Sequence, residues 1–96
     1  MGVSEGAFEC TDVPIVASAV SVKRTVGAQV DANGMVVAVR FLSTEVRAWD
    51  AYTLGQRVVA VADVAHDRYL SNQPDPDGGQ YPTREAVAAA ERRLKF

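Results

Sequence analysis

The chain has 96 residues, enough for one domain with a modest hydrophobic core but not for two. Its formal net charge of -2 argues against a protein built mainly to grip a polyanion, although a local basic patch can exist within that total. Cys10 is the only cysteine, so neither an intrachain disulfide nor a zinc-binding Cys/His array is expected.

The N-terminal segment predicts neither a secretory signal nor a membrane anchor. Residues 1–12 are polar, contain glycine and carry acidic residues where a signal peptide would carry basic ones. No apolar run in the chain reaches the ~18 residues that span a bilayer. We therefore expect a flexible N-terminal arm, a cytoplasmic location and no membrane partner.

Three β-strands are predicted after the arm. Residues 13–20 and 26–31 read as strands because apolar residues recur at strand spacing, and basic residues near 22–24 interrupt the run and indicate a turn. Residues 31–34, with the sequence DANG, predict a tight hairpin because Asn and Gly tolerate positive φ angles. A third strand over 35–42 then completes an antiparallel meander.

One long helix follows the strands. Asp50 is an N-cap residue type, and no proline interrupts the helix predicted from there to Leu70. Trp49, just before the cap, is expected to anchor against the core. The apolar face is so wide that it should be covered on two sides, by the sheet of the same chain and by a second copy. We therefore expect a homodimer whose interface uses Val58, Val59, Val61, Ala62 and Ala65.

The C-terminal part predicts a linker and a second helix, completing an α+β fold. Residues 71–82 are rich in proline and glycine, so the compact β-β-β-α domain is expected over residues 13–70. A short helix is predicted within residues 83–96, with Thr83 as its N-cap. Its apolar stripe is thin, so the sequence leaves open whether this helix is docked, exchanged with a second copy, or mobile.

No catalytic or metal-binding motif is recognisable. His66 and Asp67 lie three and four positions after Asp63, at helical spacing from it, but these residues give too few firm ligands for a metal and no oriented catalytic set. No glycine-rich phosphate loop and no flanked nucleophile is present. We expect no cofactor and no enzymatic activity, and a small enzyme built on His66 and Asp63 is the least favoured hypothesis.

Basic residues form two groups along the chain, one at the first turn and one on the last helix. Bases near a helix C-terminus interact favourably with the helix dipole, so the grouping alone does not predict a binding site. The candidate contacts to a nucleic acid or to a protein partner are Lys23, Arg24, Arg84, Arg92, Arg93 and Lys95.

About half of the chain resembles the YbaB/EbfC nucleoid-associated family. The resemblance is carried by residues 26–34 (VGAQVDANG), 35–41 (MVVAVRF), 50–54 (DAYTL) and 58–65 (VVAVADVA). It is closer to the actinobacterial relatives associated with type VII secretion, the EspH-like group. The resemblance implies a three-stranded sheet whose edge and helix pair with a second subunit in an intertwined dimer.

The resemblance implies two functions. DNA-binding members of the family carry a long N-terminal helix, whereas residues 1–12 here are too short and too acidic to form it. The leading hypothesis is therefore a non-enzymatic dimeric adaptor or chaperone-like accessory protein, associated with secretion, that holds a protein partner. The alternative is a nucleoid-associated protein that binds DNA independently of sequence through the basic residues.

Overall fold

The computed structural model describes residues 14–74 and 79–96. The predicted arm and the middle of the predicted linker lie outside the described residues. The fold class is confirmed as α+β, with a three-stranded antiparallel meander, one long helix and a short C-terminal helix. In chain order the elements are β1 (Ile15–Val20), β2 (Val26–Asp31), β3 (Val36–Phe41), a 3-10 helix (Thr44–Ala48), α1 (Ala51–Ser71) and α2 (Arg84–Arg92).

The sheet has the order β1-β2-β3, so β2 lies in the centre. Ala28 of β2 pairs with Ala19 of β1 and with Val39 of β3. The Val26 and Val30 side chains of β2 are fully buried because α1 packs over β1 and β2. By contrast, β3 has few contacts with α1, and its side chains are mostly exposed.

The turn between β2 and β3 is the one that the DANG sequence predicts. The Asp31 carboxylate accepts from the main-chain N–H groups of Asn33 (2.9 Å) and Met35 (3.0 Å). Gly34 has a φ of 82°, a conformation that glycine adopts without steric cost. The Tyr69 hydroxyl donates to the Ala32 carbonyl oxygen (3.1 Å), which ties this turn to α1.

The turn between β1 and β2 also lies where the sequence predicts it. Ser21 Oγ is buried and accepts from the main-chain N–H groups of Thr25 (3.0 Å) and Val26 (3.2 Å). Arg24 has a φ of 57°, and it is the only described residue other than glycine with positive φ. The turn therefore has a rigid base, with Lys23 and Arg24 exposed at its tip.

Helix α1 begins as predicted. The Asp50 carboxylate accepts from the Thr53 N–H (2.7 Å), which satisfies one unpaired donor of the first turn. The residues facing the sheet are Val61, Val64 and Ala65, all buried. Just before the helix, Trp49 packs on the core as an anchor, as predicted.

The expectation that the compact unit ends at Leu70 was wrong. Val87 of α2 is 2% exposed and Leu94 is 7% exposed, and both belong to the same core as α1 and the sheet. The helix ends at Arg92 rather than continuing towards residue 96. Burial of Val87, and of Leu94 just after the helix, therefore contributes to docking α2 despite its thin apolar stripe.

Candidate interaction surfaces

The outer edge of β1 is covered by two charged side chains. Arg68 Nη1 donates to the Ser18 carbonyl oxygen (2.8 Å), and the Val20 N–H donates to Glu91 Oε2 (2.9 Å). Arg68 and Glu91 also form a salt bridge, with Nη2 and Oε1 2.9 Å apart. Because these main-chain groups already have partners, this edge is protected against pairing with another strand.

The outer edge of β3, in contrast, is open. Leu42 N–H donates to the Thr25 carbonyl oxygen (2.9 Å), so the antiparallel alternation turns the main-chain groups of Val39 and Phe41 away from β2. No further strand follows β3 in the described part of the sheet. Val37, Val39 and Phe41 are 45%, 37% and 52% exposed, so the edge is apolar as well as unpaired.

A second apolar surface lies on the outer face of α1, away from the sheet. Tyr52 is 74% exposed and Val59 is 58% exposed. They line a shallow groove of about 650 Å³ together with Gly55 and Ala60. A Cβ atom placed at Gly55 would meet nothing within 4 Å, so this helical glycine has no packing role within the described chain.

The structure separates the five residues predicted for the dimer interface. Val61 and Ala65 are fully buried against the sheet of their own chain, so they offer no surface to a second copy. This part of the prediction was wrong because the wide apolar face did not reveal which of its sides the sheet covers. Val58 and Ala62 are partly buried, and Val59 alone of the five is exposed.

Docking of the C-terminal segment brings together five of the six predicted basic residues. Val22 N–H donates to the Leu94 carbonyl oxygen (2.8 Å), and Lys23 N–H donates to the Phe96 main-chain oxygen (2.9 Å). Arg84 begins α2 and lies at the other end of that helix. The resulting surface, which we name the basic end, consists of the exposed residues Lys23, Arg24, Arg92, Arg93 and Lys95.

A small pocket of about 330 Å³ lies within the basic end. Arg24, Arg92 and Glu91 line it together with Val22. The hydrogen bond from Arg68 holds the pKa of the Glu91 carboxyl below its usual range, although burial acts in the opposite direction. Glu91 is therefore ionised at neutral pH, and its charge is engaged by Arg68 and by the N–H of Val20.

The residues with metal-ligating side chains on α1 do not form a site. Among residues 14–74 and 79–96, no group of three His, Cys, Asp or Glu side chains is placed to hold a metal ion. His66 is exposed and stacks on Tyr69, with the ring centroids 6.1 Å apart. Asp63 is exposed and lines the groove on the outer face of α1.

The sequence alone does not indicate that Arg68 and Glu91 cover a strand edge. They are 23 positions apart, and their meeting depends on the path of the intervening segment. A basic residue late in α1 and an acidic residue late in α2 are common on solvated helices. No local signal distinguishes such residues from ordinary surface charges.

Comparisons with known proteins give no relative for this chain. A scan against protein-family models, a search of curated proteins and a search of solved structures each returned no match. Within the part of the chain that the structure describes, no helix is both long and apolar enough to cross a bilayer.

Proposed function

We propose that the protein is a non-enzymatic, homodimeric adaptor that binds a protein partner. The observation that carries this proposal is the open apolar edge of β3. Unpaired N–H and C=O groups beside exposed apolar side chains form a template for another strand, and natural proteins cover or charge such edges unless they use them. The same sheet protects its other edge with Arg68 and Glu91.

A second copy of the chain fits this edge because β3 is complementary to itself. In an antiparallel pair centred on Val39, the outward main-chain groups of Val39 face those of Val39 in the second copy. Phe41 then lies opposite Val37 of the second copy, the residue at which the register between β2 and β3 shifts, and both side chains are exposed and apolar. The result is one continuous six-stranded sheet across the dimer.

Charge also permits this pairing. Arg40 is the only charged residue in β3, and the same register places it opposite Ala38 of the second copy rather than opposite another arginine. Like charges directly opposite each other would destabilise a strand pair. No such repulsion arises here.

Proline at position 39 tests the dimer. The Val39 N–H points away from β2, so Val39→Pro removes no hydrogen bond within the protomer but blocks the central bond to a second copy. Val39→Thr is the matched control because it keeps the N–H and has a similar shape. In light scattering, we expect wild type and Val39→Thr to have twice the mass of one chain and Val39→Pro to have the mass of one.

Circular dichroism on the same samples checks that Val39→Pro remains folded. A wild-type protein that is monomeric at micromolar concentration would refute the proposed dimer. A folded Val39→Pro variant that stays dimeric would show that two copies associate through a surface other than β3.

The outer face of α1 is the surface that we assign to the protein partner. This face is uncovered in the protomer, and Gly55, which lies between Tyr52 and Val59 along the helix, has no side chain to keep another backbone away. The groove extends from position 52 to position 63 of the helix, about 16 Å at 1.5 Å per residue. This length suits a partner helix of about three turns that inserts apolar side chains.

The partner surface is tested with Val59→Asp and with Gln56→Asp as the matched control. Both add one negative charge to the same groove, but only the first removes an exposed apolar side chain. A protein recovered with the wild type is purified and titrated against all three forms. We expect binding to be lost in Val59→Asp and kept in Gln56→Asp, and equal binding by all three would refute the assignment.

Sequence-independent DNA binding is the second candidate function, and the basic end favours it because a dimer would display that surface twice. It ranks below the adaptor because acidic residues outnumber basic ones over the chain as a whole. A mobility-shift titration with duplex DNA at low salt tests it directly. The secretion-associated role and the cytoplasmic location are further proposals, which rest on the family resemblance and on the sequence.

A further inference from the structure

We propose that the basic end binds a short acidic segment of a protein partner, with carboxylates held in the pocket between the β1–β2 turn and α2. The inference rests on the proposed adaptor function and names the chemistry of a second contact that the adaptor makes. Its evidence is independent of β3 and of the outer face of α1.

The basic end is a surface that the fold builds. Leu94 is buried in the core, and its carbonyl oxygen accepts from Val22, which fixes the residues after α2 beside the first turn. These main-chain hydrogen bonds bring bases that are up to 72 positions apart in sequence, from Lys23 to Lys95, to the same end of the molecule. A preorganised set of cations binds an anion without first paying the entropy of assembling the site.

Arg24 has two properties that suit it to anion binding. Its φ of 57° is one that glycine or asparagine adopts more readily, so the turn alone does not favour arginine here. Among the described residues the only salt bridge joins Arg68 to Glu91, so the Arg24 and Arg92 guanidinium groups are not engaged in one. Two such planar groups in one pocket match the geometry of a carboxylate.

Glu91 also lines the pocket, and its charge interacts with that of Arg24. The Arg68 guanidinium offsets that charge, because the Glu91 oxygens accept from Arg68 and from the Val20 N–H and the carboxylate fixes α2 against β1. An incoming anion therefore meets the Arg24 and Arg92 cations without having to displace Glu91.

The distribution of charge favours a short segment over an extended polyanion. Five of the ten basic residues lie in the basic end. Over the rest of residues 14–74 and 79–96, Glu91 aside, six acidic residues stand against five basic ones, so the excess positive charge of the described surface is confined to this end. A long duplex or a flat anionic membrane would extend beyond the basic end onto a surface that has no further excess of positive charge, whereas a short peptide would not. Val22, 55% exposed beside the pocket, also favours a partner that carries apolar side chains between its acids.

Fluorescence anisotropy with the full chain tests the proposal. The probe is a labelled peptide in which glutamate alternates with glycine and valine, and the matched peptide has glutamine at every glutamate position. We expect the acidic peptide to bind with an affinity that falls as salt rises, and the glutamine peptide to bind at least about tenfold more weakly.

Arg24→Gly combined with Arg92→Gln should weaken binding of the acidic peptide by about tenfold or more. Glycine suits the positive φ at position 24, so the turn should keep its shape. Arg84→Gln is the matched control because it removes one exposed charge from the other end of the same helix, and it should change the affinity by less than about twofold.

Equal binding of the two peptides, or an unchanged affinity in the double variant, would overturn the proposal. So would tighter binding of duplex DNA or of phosphatidylserine-containing vesicles than of the peptide at the same ionic strength. Light scattering on the same samples reports the dimer independently. If the protein is a monomer and binds the acidic peptide, the dimeric adaptor is refuted and this inference stands. If the protein is a dimer and does not bind the peptide, this inference is refuted and the dimer stands.

Discussion

Arg68 and Glu91 form a bidentate ion pair that joins α1, α2 and the edge of the sheet. Nη2 and Nη1 of Arg68 donate to Oε1 and Oε2 of Glu91 at 2.9 and 3.2 Å. Each residue also bonds the main chain of β1, Arg68 at Ser18 and Glu91 at Val20. The pair therefore docks the C-terminal helix and protects a strand edge at the same time.

Arg68→Met should destabilise the fold by about 2 kcal/mol, because it removes charge-assisted hydrogen bonds and leaves the half-buried Glu91 with one partner fewer. Met keeps much of the side-chain packing, so the effect reports the lost charge and hydrogen bonds. Arg84→Met, on an exposed residue without a salt bridge among the described residues, should change the free energy of unfolding by under about 0.5 kcal/mol. Urea denaturation of both variants gives the comparison, and equal midpoints would contradict it.

Glu91 should also make the free energy of unfolding depend on pH in the acidic range. The Arg68 hydrogen bond lowers the pKa of Glu91 in the folded chain below the ordinary value of 4.5, so folding is favoured by the ionised form. The stability that the ionised Glu91 carboxylate contributes is present above pH 4.5, and it is lost as the pH falls through the lowered pKa of Glu91 in the folded chain. Glu91→Gln should be less stable than wild type at neutral pH, and the difference should shrink on acidification.

Asp50 provides a second case of a carboxyl whose pKa is lowered in the folded chain. Its pKa is also lowered, in the first place by the hydrogen bond from the Thr53 main chain. In Glu91→Gln and in Asp50→Asn, the free energy of unfolding should fall less steeply than in wild type as the pH is lowered. The double variant should show a still weaker dependence on pH. If Glu91→Gln kept the wild-type pH dependence of the free energy of unfolding, the role given to Glu91 would be refuted.

Ser21 is the residue on which the first turn depends. Its hydroxyl oxygen accepts from the N–H groups of Thr25 and Val26 and lies 2.9 Å from the Thr25 hydroxyl, all in a buried position. Ser21→Ala leaves two buried donors without this acceptor and should cost about 2 to 4 kcal/mol. Thr25→Val, which removes only the neighbouring hydroxyl, should cost less, and denaturant titration would contradict this account if the order were reversed.

Local signals predicted much of the fold. Alternating valines and the DANG turn predicted the second hairpin, and Asp50 and Thr83 are the N-caps of the two helices, as expected. These features depend on neighbours within a few positions, so the sequence displays them directly. The prediction failed where the structure depends on contacts between residues far apart in sequence, as in the docking of α2 through Val87 and Leu94.

The candidate surfaces were harder to predict for the same reason. Alternation in β3 separates two faces of a strand, but it does not say whether the strand lies in the centre or at the edge of its sheet. In α1 the apolar face is wide, so periodicity did not distinguish Val61, which faces the sheet, from Val59, which faces away. The basic end arises from contacts between positions 22–23 and 94–96, which no local pattern encodes.

Gly34 and Tyr69 give a final prediction about the hairpin that presents β3. A Cβ atom at Gly34 would lie 2.8 Å from Cε2 of the Tyr69 ring, and the φ of 82° strains any residue with a side chain. The Tyr69 hydroxyl is held by the Ala32 carbonyl oxygen, so the ring cannot move aside without losing that bond. Gly34→Ala should therefore destabilise the fold by about 2 to 3 kcal/mol.

A double-mutant cycle separates the two causes. In a Tyr69→Leu background the ring is gone, so Gly34→Ala should cost only about 1 kcal/mol, the part that comes from φ. Gly55→Ala is the control. Gly55 is a helical glycine with open space around it, so its replacement by alanine should raise the free energy of unfolding by about 1 kcal/mol. Equal penalties for Gly34→Ala in both backgrounds would show that backbone strain, and not the Tyr69 ring, requires glycine at this turn.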